Sequence, residues 1–151
     1  MQAFRIKGGK KLKGEVRPQG AKNEALQIIC ATLLTSEKVI INNIPDIIDI
    51  NKLISLLISL GVKVEKLNSN KYSFKADNID LDYLKSEQFK IDGKSLRGSI
   101  MIVGPLLARF GKAYIPRPGG DKIGRRRLDT HFEGLITVSY THLTLPTSYP
   151  V

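Results

Sequence analysis

The stretch GAKNEALQIICATLL, residues 20–34, decides the fold class of this 151-residue chain. From Asn23 its apolar residues recur at helical spacing and share one face; they are Leu26, Ile29, Cys30, Leu33 and Leu34. We therefore predict a helix that buries this face against the rest of the protein. Cys30 is expected to be a core residue and not a nucleophile.

The same order of segments returns after roughly 74 residues. Lys22 leads the first predicted helix, and a strand at 38–42 and a second helix follow it. Arg97 leads another helix, and a strand at 112–116 and a further segment follow in turn. This repetition predicts an α/β fold of repeated units, the second of which lacks its closing hairpin. The alternative is that any alternation of helices and strands looks repetitive.

The other segments of the first half are predicted from periodicity and turn residues. Alternation over residues 4–16 predicts two short strands with a turn. Asp49 is expected to cap a helix that runs through Leu60 and ends at Gly61. Residues 62–75 are expected to form a hairpin.

The second half has a weaker pattern. Residues 77–94 are mixed and polar, with room for one short helix near Leu84. Ser95 is expected to cap a helix running to about Arg109, which Pro105 would interrupt. Beyond it we predict a strand at 112–116, a glycine-rich loop at 117–124 and a helix at 128–136.

The net charge of +10 is concentrated in two short basic blocks. Residues 1–22 and 109–127 each carry +6, whereas residues 23–108 are neutral and residues 128–151 carry −2. A nucleic-acid face usually shows a longer basic stripe with aromatic residues between the charges. We therefore expect a local anion site and no nucleic-acid partner. A pair of solvated surface runs and a basic nucleic-acid-binding module remain as alternatives.

Composition excludes several other classes of protein. A single Cys rules out a disulfide framework and a multi-cysteine metal site. No apolar run approaches the ~18 residues that span a membrane. The N-terminus lacks the apolar stretch of a signal peptide. We therefore expect a cytoplasmic protein with no membrane partner.

Lys22 and Arg97 occupy equivalent positions, each at the start of a predicted helix. A cation there opposes the helix dipole, at a cost of roughly 0.3–1 kcal/mol. Two such cations in register indicate that each helix start faces an anion. Arg126, brought in by the loop at Gly119-Gly120, would add a third cation. Three converging cations suit a small, highly charged phosphate or carboxylate.

Four motifs give the chain a family resemblance. They are Gly20-Ala21-Lys22-Asn23, Leu96-Arg97-Gly98-Ser99, Gly104-Pro105-Leu106-Leu107-Ala108-Arg109-Phe110-Gly111 and Pro118-Gly119-Gly120-Asp121-Lys122-Ile123-Gly124. Together they resemble the enolpyruvyl transferase family, in particular the members that begin peptidoglycan precursor synthesis. The resemblance covers residues 3 to about 136.

The resemblance implies a reaction and an architecture. The enolpyruvyl group of phosphoenolpyruvate would move to the 3-hydroxyl of UDP-N-acetylglucosamine, with release of phosphate through a tetrahedral ketal. The family fold is an inside-out α/β barrel, in which two domains of three α/β units each surround buried parallel helices. The intact enzyme would be a monomer without metal or cofactor. Residues 21–136 would form an incomplete domain of about two units, and residues 1–20 would pair with the missing second domain.

The resemblance also implies roles for catalytic residues. Lys22 and Arg97 match the cations that hold phosphoenolpyruvate and its developing charge, together with Arg126. Asp121 stands where many members have Cys on a mobile loop, and it would serve as an acid. Because Asp121 offers no thiolate, we expect the intact enzyme to resist the epoxide antibiotic fosfomycin. The alternative is a turn aspartate that follows two glycines.

Further residues are implied to bind substrate. Asn23 matches a residue that lines the sugar and phosphoenolpyruvate site. The segment from Arg126 through Leu128 to Asp129 matches the one that holds the uridine end. His131 matches a family histidine, but it could equally be a packing residue.

A sister enzyme that acts on shikimate 3-phosphate is the nearest alternative. It shares the fold and phosphoenolpyruvate, but its lysine motif is rich in Ser, whereas this chain has Lys22-Asn23-Glu24. Without the opposing domain, the chain by itself is expected to be inactive and prone to aggregation.

The C-terminal residues 137–151 are expected to be a non-native tail. No charged side chain follows Glu133. Residues 138–147 can be encoded by a transposase-type sequencing adapter read in frame, and residues 148–151 by index bases that precede a stop codon. We therefore expect adapter sequence joined to a truncated gene, and His142 and Tyr149 receive no role.

Overall fold

The computed structural model describes residues 3–116, 119 and 128–137. In chain order the elements are α1 (Lys22–Ala31) continued by a 3-10 turn (Thr32–Leu34), β1 (Lys38–Ile41), α2 (Ile48–Ser59), β2 (Lys63–Asn68), β3 (Lys71–Lys75), a 3-10 turn (Tyr83–Lys85), α3 (Glu87–Lys94), a 3-10 helix (Arg97–Ile102), α4 (Val103–Phe110) and α5 (Asp129–Thr137). None of the helices in this described part is long and apolar enough to cross a membrane.

The three strands form an antiparallel sheet in the order β1-β3-β2. Val39 of β1 and Val64 of β2 lie opposite Phe74, from either side of the central strand. Phe74 is fully buried, so this face of the sheet packs on the core. The predicted hairpin is confirmed, and β1 completes a sheet that lies within residues 38–75.

A single acidic side chain ties the ends of two strands. Asp77 lies 3.0 Å from the Nζ of Lys63 and 3.1 Å from the Nζ of Lys75. Hydrogen bonds from these two ammonium groups lower the pKa of the Asp77 carboxyl below its usual value. The residues at and just after the end of β3 are therefore tied to the first residue of β2.

The face predicted from residues 20–34 is buried as expected. Ile29 and Leu33 are fully buried, and Cys30 is 1% exposed. Burial raises the pKa of the Cys30 thiol to about 12, because an apolar surround disfavours the thiolate. Cys30 is thus confirmed as a core residue. Leu34 is half exposed and lies at the edge of the buried face.

Helix α2 begins and ends close to the predicted limits, but its N-cap differs. The cap is Ile47, with no side-chain hydrogen bond, and Asp49 lies inside the first turn. The predicted cap at Asp49 is therefore wrong by two residues. Gly61 follows the helix with φ +102°, and a Cβ there would lie 2.4 Å from the Asn78 carbonyl oxygen. Both facts require glycine.

The two strands predicted over residues 4–16 are absent from the structure. Residues 3–19 form neither helix nor strand and are exposed throughout. Among them Phe4, Ile6 and Leu12 are each more than 90% exposed. An isolated strand pair buries no apolar face and is marginally stable at best. The assignment of this segment to a second domain stays a prediction.

The strand predicted at 112–116 is also not formed, although Ile115 and Pro116 are buried. In the first unit, β1 is a strand because it hydrogen-bonds to β3 of the following hairpin. The described residues contain no equivalent hairpin after residue 116. The prediction was wrong because a strand needs a partner, and apolar alternation does not supply one.

The region between the two units contains a helix that the sequence pattern did not reveal. Ser86 caps α3, and its Oγ accepts a hydrogen bond from the Phe89 N–H at 3.1 Å. Ser95 ends α3, so its predicted role as the cap of the next helix is wrong. Pro105 does not interrupt α4, because it lies in the first turn, where N–H groups need no partner within the helix.

Arg109 joins the second unit to the first. Its Nη1 donates to the carbonyl oxygens of Leu33 at 3.0 Å, Thr35 at 3.0 Å and Ala76 at 2.7 Å. These carbonyls belong to the end of the α1 segment, the loop before β1 and the end of β3. One guanidinium therefore fixes α4 against both the helical and the sheet part of the first unit.

Candidate functional site

Lys22 is the first residue of α1, as predicted. The preceding residue Ala21 provides no side-chain cap, so free N–H groups and a cation meet at this end. The Lys22 Nζ lies 2.9 Å from the Oδ2 of Asp49, in the first turn of α2. Both side chains are about half exposed, at 49% and 41%. The pair therefore sits at the surface, where an anion can reach Lys22.

Gly20 determines where α1 begins. A Cβ at Gly20 would lie 1.9 Å from the Asn43 carbonyl oxygen, an impossible contact. Asn43 itself adopts φ +60°, in the left-handed region that Asn tolerates better than most residues. The chain entering α1 is thus pressed onto the loop after β1. This close approach explains why the motif that contains Lys22 starts with glycine.

The start of the second unit lies beside the start of the first. Arg97 is the first residue of the 3-10 helix and is partly buried. A Cβ at Gly98 would lie 3.1 Å from the Leu26 Cδ2, one turn beyond Lys22 in α1. The first residues of the 3-10 helix therefore pack against the first half of α1, one turn beyond Lys22. Asn23 is exposed at the start of α1.

A buried hydroxyl holds the segment that leads into Arg97. The Oγ of Ser99 is 2.7 Å from the Leu96 carbonyl oxygen and 2.9 Å from that of Gly93. Ser99 is fully buried. The Lys52 Nζ of α2 also approaches the Ser95 carbonyl oxygen at 3.4 Å. Ser99 is part of the motif Leu96-Arg97-Gly98-Ser99, but the sequence analysis assigned it no role. Its hydrogen bonds to two backbone carbonyl groups cannot be predicted from the spacing of residues in the sequence.

Gly119, which belongs to the predicted glycine-rich segment, lies against the end of α3. A Cβ at Gly119 would lie 1.8 Å from the Lys94 carbonyl oxygen, so only glycine fits against the end of α3. Lys94 precedes Arg97 by three residues. Asp121 and Arg126, the other predicted residues of this loop, lie outside the described residues.

The remaining predicted residues lie at the start of α5. Leu128 and Asp129 are partly buried, whereas His131 is exposed. His131 lines a mainly apolar groove of about 410 Å³ between α5 and the 3-10 helix with α4. Other groove residues are Ile100, Met101 and Thr130. Ile100 is one 3-10 turn after Arg97, so α5 starts close to that helix start.

In the part of the chain that the structure describes, no cluster of acidic or histidine side chains suggests a metal site. Within residues 3–116, 119 and 128–137, no group of three or more His, Cys, Asp or Glu side chains could hold an ion. In the described part of the chain, Lys22 and Arg97 each stand at the first residue of a helix, a position to which anions are attracted.

The fold is that of an enolpyruvyl transferase. The crystal structure of the enolpyruvyl transferase NikO from Streptomyces tendae superposes with a TM-score of 0.53 and 24% identity. The match covers 70% of this chain and 24% of that one. The predicted fold class of repeated, incomplete α/β units is confirmed.

Residues 6–139 match the family model described as EPSP synthase (3-phosphoshikimate 1-carboxyvinyltransferase). The chain belongs to this family.

Curated relatives carry a more particular name. A protein of Bacteroides thetaiotaomicron named UDP-N-acetylglucosamine 1-carboxyvinyltransferase is 63% identical over 135 residues, which are 89% of this chain and 31% of the relative. A protein of Porphyromonas gingivalis with the same name is 57% identical over 141 residues, 93% of this chain and 32% of the relative. The chain thus spans about a third of the length of these relatives.

Proposed function

We propose that this chain is part of a transferase that moves the enolpyruvyl group of phosphoenolpyruvate to the 3-hydroxyl of UDP-N-acetylglucosamine and releases phosphate. Identity of 57–63% to relatives that carry the corresponding name supports this acceptor. The single structural observation that supports the proposal is the packing of Gly98, the residue after Arg97, against Leu26, one turn beyond Lys22 in α1. The protein would act in the cytoplasm in peptidoglycan precursor synthesis, and thereby in cell shape and division.

Phosphoenolpyruvate has the charge that this end of the molecule can bind. Its phosphate and carboxylate would be attracted by two helix starts and two cations, which act in the same direction. Arg97 would grip an oxyanion through two parallel N–H bonds, whereas Lys22 would act as a point charge. Both charges would also stabilise negative charge that develops during addition and elimination.

The other roles follow from the position of each residue in the family motifs. Asn23 would line the site next to Lys22. Leu128 and Asp129, together with Arg126, would hold the uridine end, close to the start of α5. His131 would border that region from the groove. Asp121 would protonate the methylene carbon or assist the loss of phosphate.

The family model bears the name of the enzyme for shikimate 3-phosphate, which makes that acceptor the second candidate. The high identity to the two relatives named for UDP-N-acetylglucosamine favours the first. A nucleic-acid-binding module is the weaker reading, because the net charge would give it only a salt-dependent and nonspecific affinity. We expect no metal or cofactor requirement and a monomeric intact enzyme.

A chimaera tests the proposal on a complete enzyme. Residues 3–136 of this chain would replace the matching segment of the Bacteroides thetaiotaomicron relative. We expect phosphate release that requires both phosphoenolpyruvate and UDP-N-acetylglucosamine, within about tenfold of the parent kcat/KM, which is about 1.4 kcal/mol in activation free energy. The Lys22→Gln chimaera should lose at least a hundredfold.

Two results would contradict the proposal. One is a folded chimaera without turnover. The other is a KM for UDP-N-acetylglucosamine raised far above the parent value, as expected for a segment that evolved for shikimate 3-phosphate.

A further inference from the structure

The geometry points to Asp49 as a positioning residue for Lys22 in the proposed reaction. This inference rests on the proposed function, because it assigns Asp49 a role through the cation that would hold phosphoenolpyruvate. The observation that carries it is the 2.9 Å contact between the Lys22 Nζ and the Asp49 Oδ2, which joins the first turns of α1 and α2.

Lys22 needs such a partner for two physical reasons. Its ammonium sits on a flexible four-carbon stem, and holding it in one place costs side-chain entropy. It also lies at the start of α1, where the helix dipole repels a cation. Asp49 offsets both effects, since its carboxylate fixes the ammonium and lies at the start of α2, where the dipole favours an anion.

The remaining surroundings leave this carboxylate available for Lys22. The neighbouring Asp46 accepts a hydrogen bond from Asn51 Nδ2 at 2.9 Å, so it is engaged within its own loop and helix turn. Lys52, one turn further along α2, approaches the Ser95 carbonyl oxygen and not Asp49. Asp49 therefore holds the Lys22 ammonium in one place, between the first turns of α1 and α2.

When Asp49 loses its charge, a positioning role predicts a rise in the KM for phosphoenolpyruvate, whereas a simple charge effect predicts a fall. Removing a nearby negative charge should by itself strengthen the attraction for phosphoenolpyruvate. Releasing Lys22 from its partner should weaken productive binding, despite the gain in positive charge. The sign of the change in KM for phosphoenolpyruvate thus separates the two effects.

The test uses the chimaera with Asp49→Asn and, as the matched control, Asp46→Asn. For Asp49→Asn we expect kcat/KM for phosphoenolpyruvate to fall about tenfold, with the KM for UDP-N-acetylglucosamine unchanged. Asp49→Glu should recover part of the loss. Asp46→Asn removes the same charge from the loop just before α2 and should leave both KM values within twofold.

A double variant shows whether Asp49 acts through Lys22. In the Lys22→Gln background, adding Asp49→Asn should cause no further loss. An unchanged or lower KM for phosphoenolpyruvate in Asp49→Asn would overturn the inference and leave the proposed function standing. Full activity of Lys22→Gln alone would instead overturn the role given to Lys22, and with it the proposed function.

Discussion

At the scale of single residues, the proposed site would depend on one lysine and one arginine, which are not interchangeable. Lys22 is half exposed and tied to Asp49, whereas Arg97 is partly buried at the start of a 3-10 helix. An ammonium acts as a point charge and tolerates a range of ligand positions. A planar guanidinium that forms two parallel hydrogen bonds requires the ligand in one orientation. Substitutions at the two positions should therefore differ in their effects.

The substitution Arg97→Lys keeps the positive charge but removes the pair of parallel N–H donors of the guanidinium. In the chimaera we expect kcat/KM for phosphoenolpyruvate to fall at least tenfold, while the KM for the UDP-sugar changes less than threefold. Steady-state kinetics with each substrate varied in turn measure both values. Equal losses for both substrates would remove the role given to Arg97.

Asp121 determines the expected response to an epoxide inhibitor. A carboxylate is a weak nucleophile toward fosfomycin, so the chimaera should show no time-dependent inactivation and no covalent mass increase. The matched variant Asp121→Cys restores a thiol and should be inactivated with time. Covalent modification at Asp121 itself would disprove the prediction.

The raised pKa of the Cys30 thiol leads us to expect that the folded chain loses stability at alkaline pH. Its pKa is raised to about 12 in the folded chain, whereas an unfolded thiol ionises near pH 8.5. The contribution of the protonated Cys30 thiol to the free energy of unfolding is therefore fully present below pH 8.5. It is lost as pH rises toward 12, by up to about 1.4 kcal/mol per pH unit. Urea unfolding of the chain at pH 8 and pH 10 measures the change. The variant Cys30→Ala should show a smaller fall, and an identical fall would assign the effect to other groups.

At the scale of elements, sequence periodicity predicted those that bury one clear face. The face that includes Ile29 and Leu33 and the hairpin over residues 62–75 are both present. The pattern failed where structure depends on a single hydrogen bond or on a partner elsewhere. Helix α3 needs the Ser86 cap, and the strand predicted at 112–116 needs a hairpin that the described chain lacks.

For the candidate site, the sequence revealed the positions of the cations in their helices but not their side-chain contacts. Equivalent positions of Lys22 and Arg97 in two units could be read from the repeat. The ion pair with Asp49 could not, because the sequence separation of 27 residues carries no signal of contact. Asp49 was interpreted as a helix cap, which is the usual role of an aspartate at a helix start.

Arg109 is the element-scale contact that we expect to matter most for stability. Arg109→Met keeps an apolar stem but leaves three backbone carbonyls without their charged donor. The free energy of unfolding should fall by about 2–3 kcal/mol. Urea unfolding followed by circular dichroism measures the loss.

The matched control for Arg109 is Arg17→Met. Arg17 is exposed and pairs with Glu15, so its removal should cost less than about 0.5 kcal/mol. Equal losses for the two variants would show that Arg109 does not join the units.

At the scale of the whole molecule, the chain is much shorter than the proteins that it resembles. It spans about a third of its relatives, and residues 3–19 expose Phe4, Ile6, Leu12 and Val16 to solvent. We therefore expect no phosphate release from the 151-residue chain and self-association that increases with concentration. A coupled phosphate assay and light scattering measure the two. Turnover by the chain that disappears in its Arg97→Lys variant would contradict the first expectation.

The closure of the sheet within residues 38–75 has a consequence for synthesis on the ribosome. Every strand-to-strand hydrogen bond of the first unit is available once Lys75 has emerged from the exit tunnel. The second unit is still being translated at that moment, and none of its residues is needed for the sheet. The nascent chain can thus acquire order one unit at a time, from its N-terminal side onward.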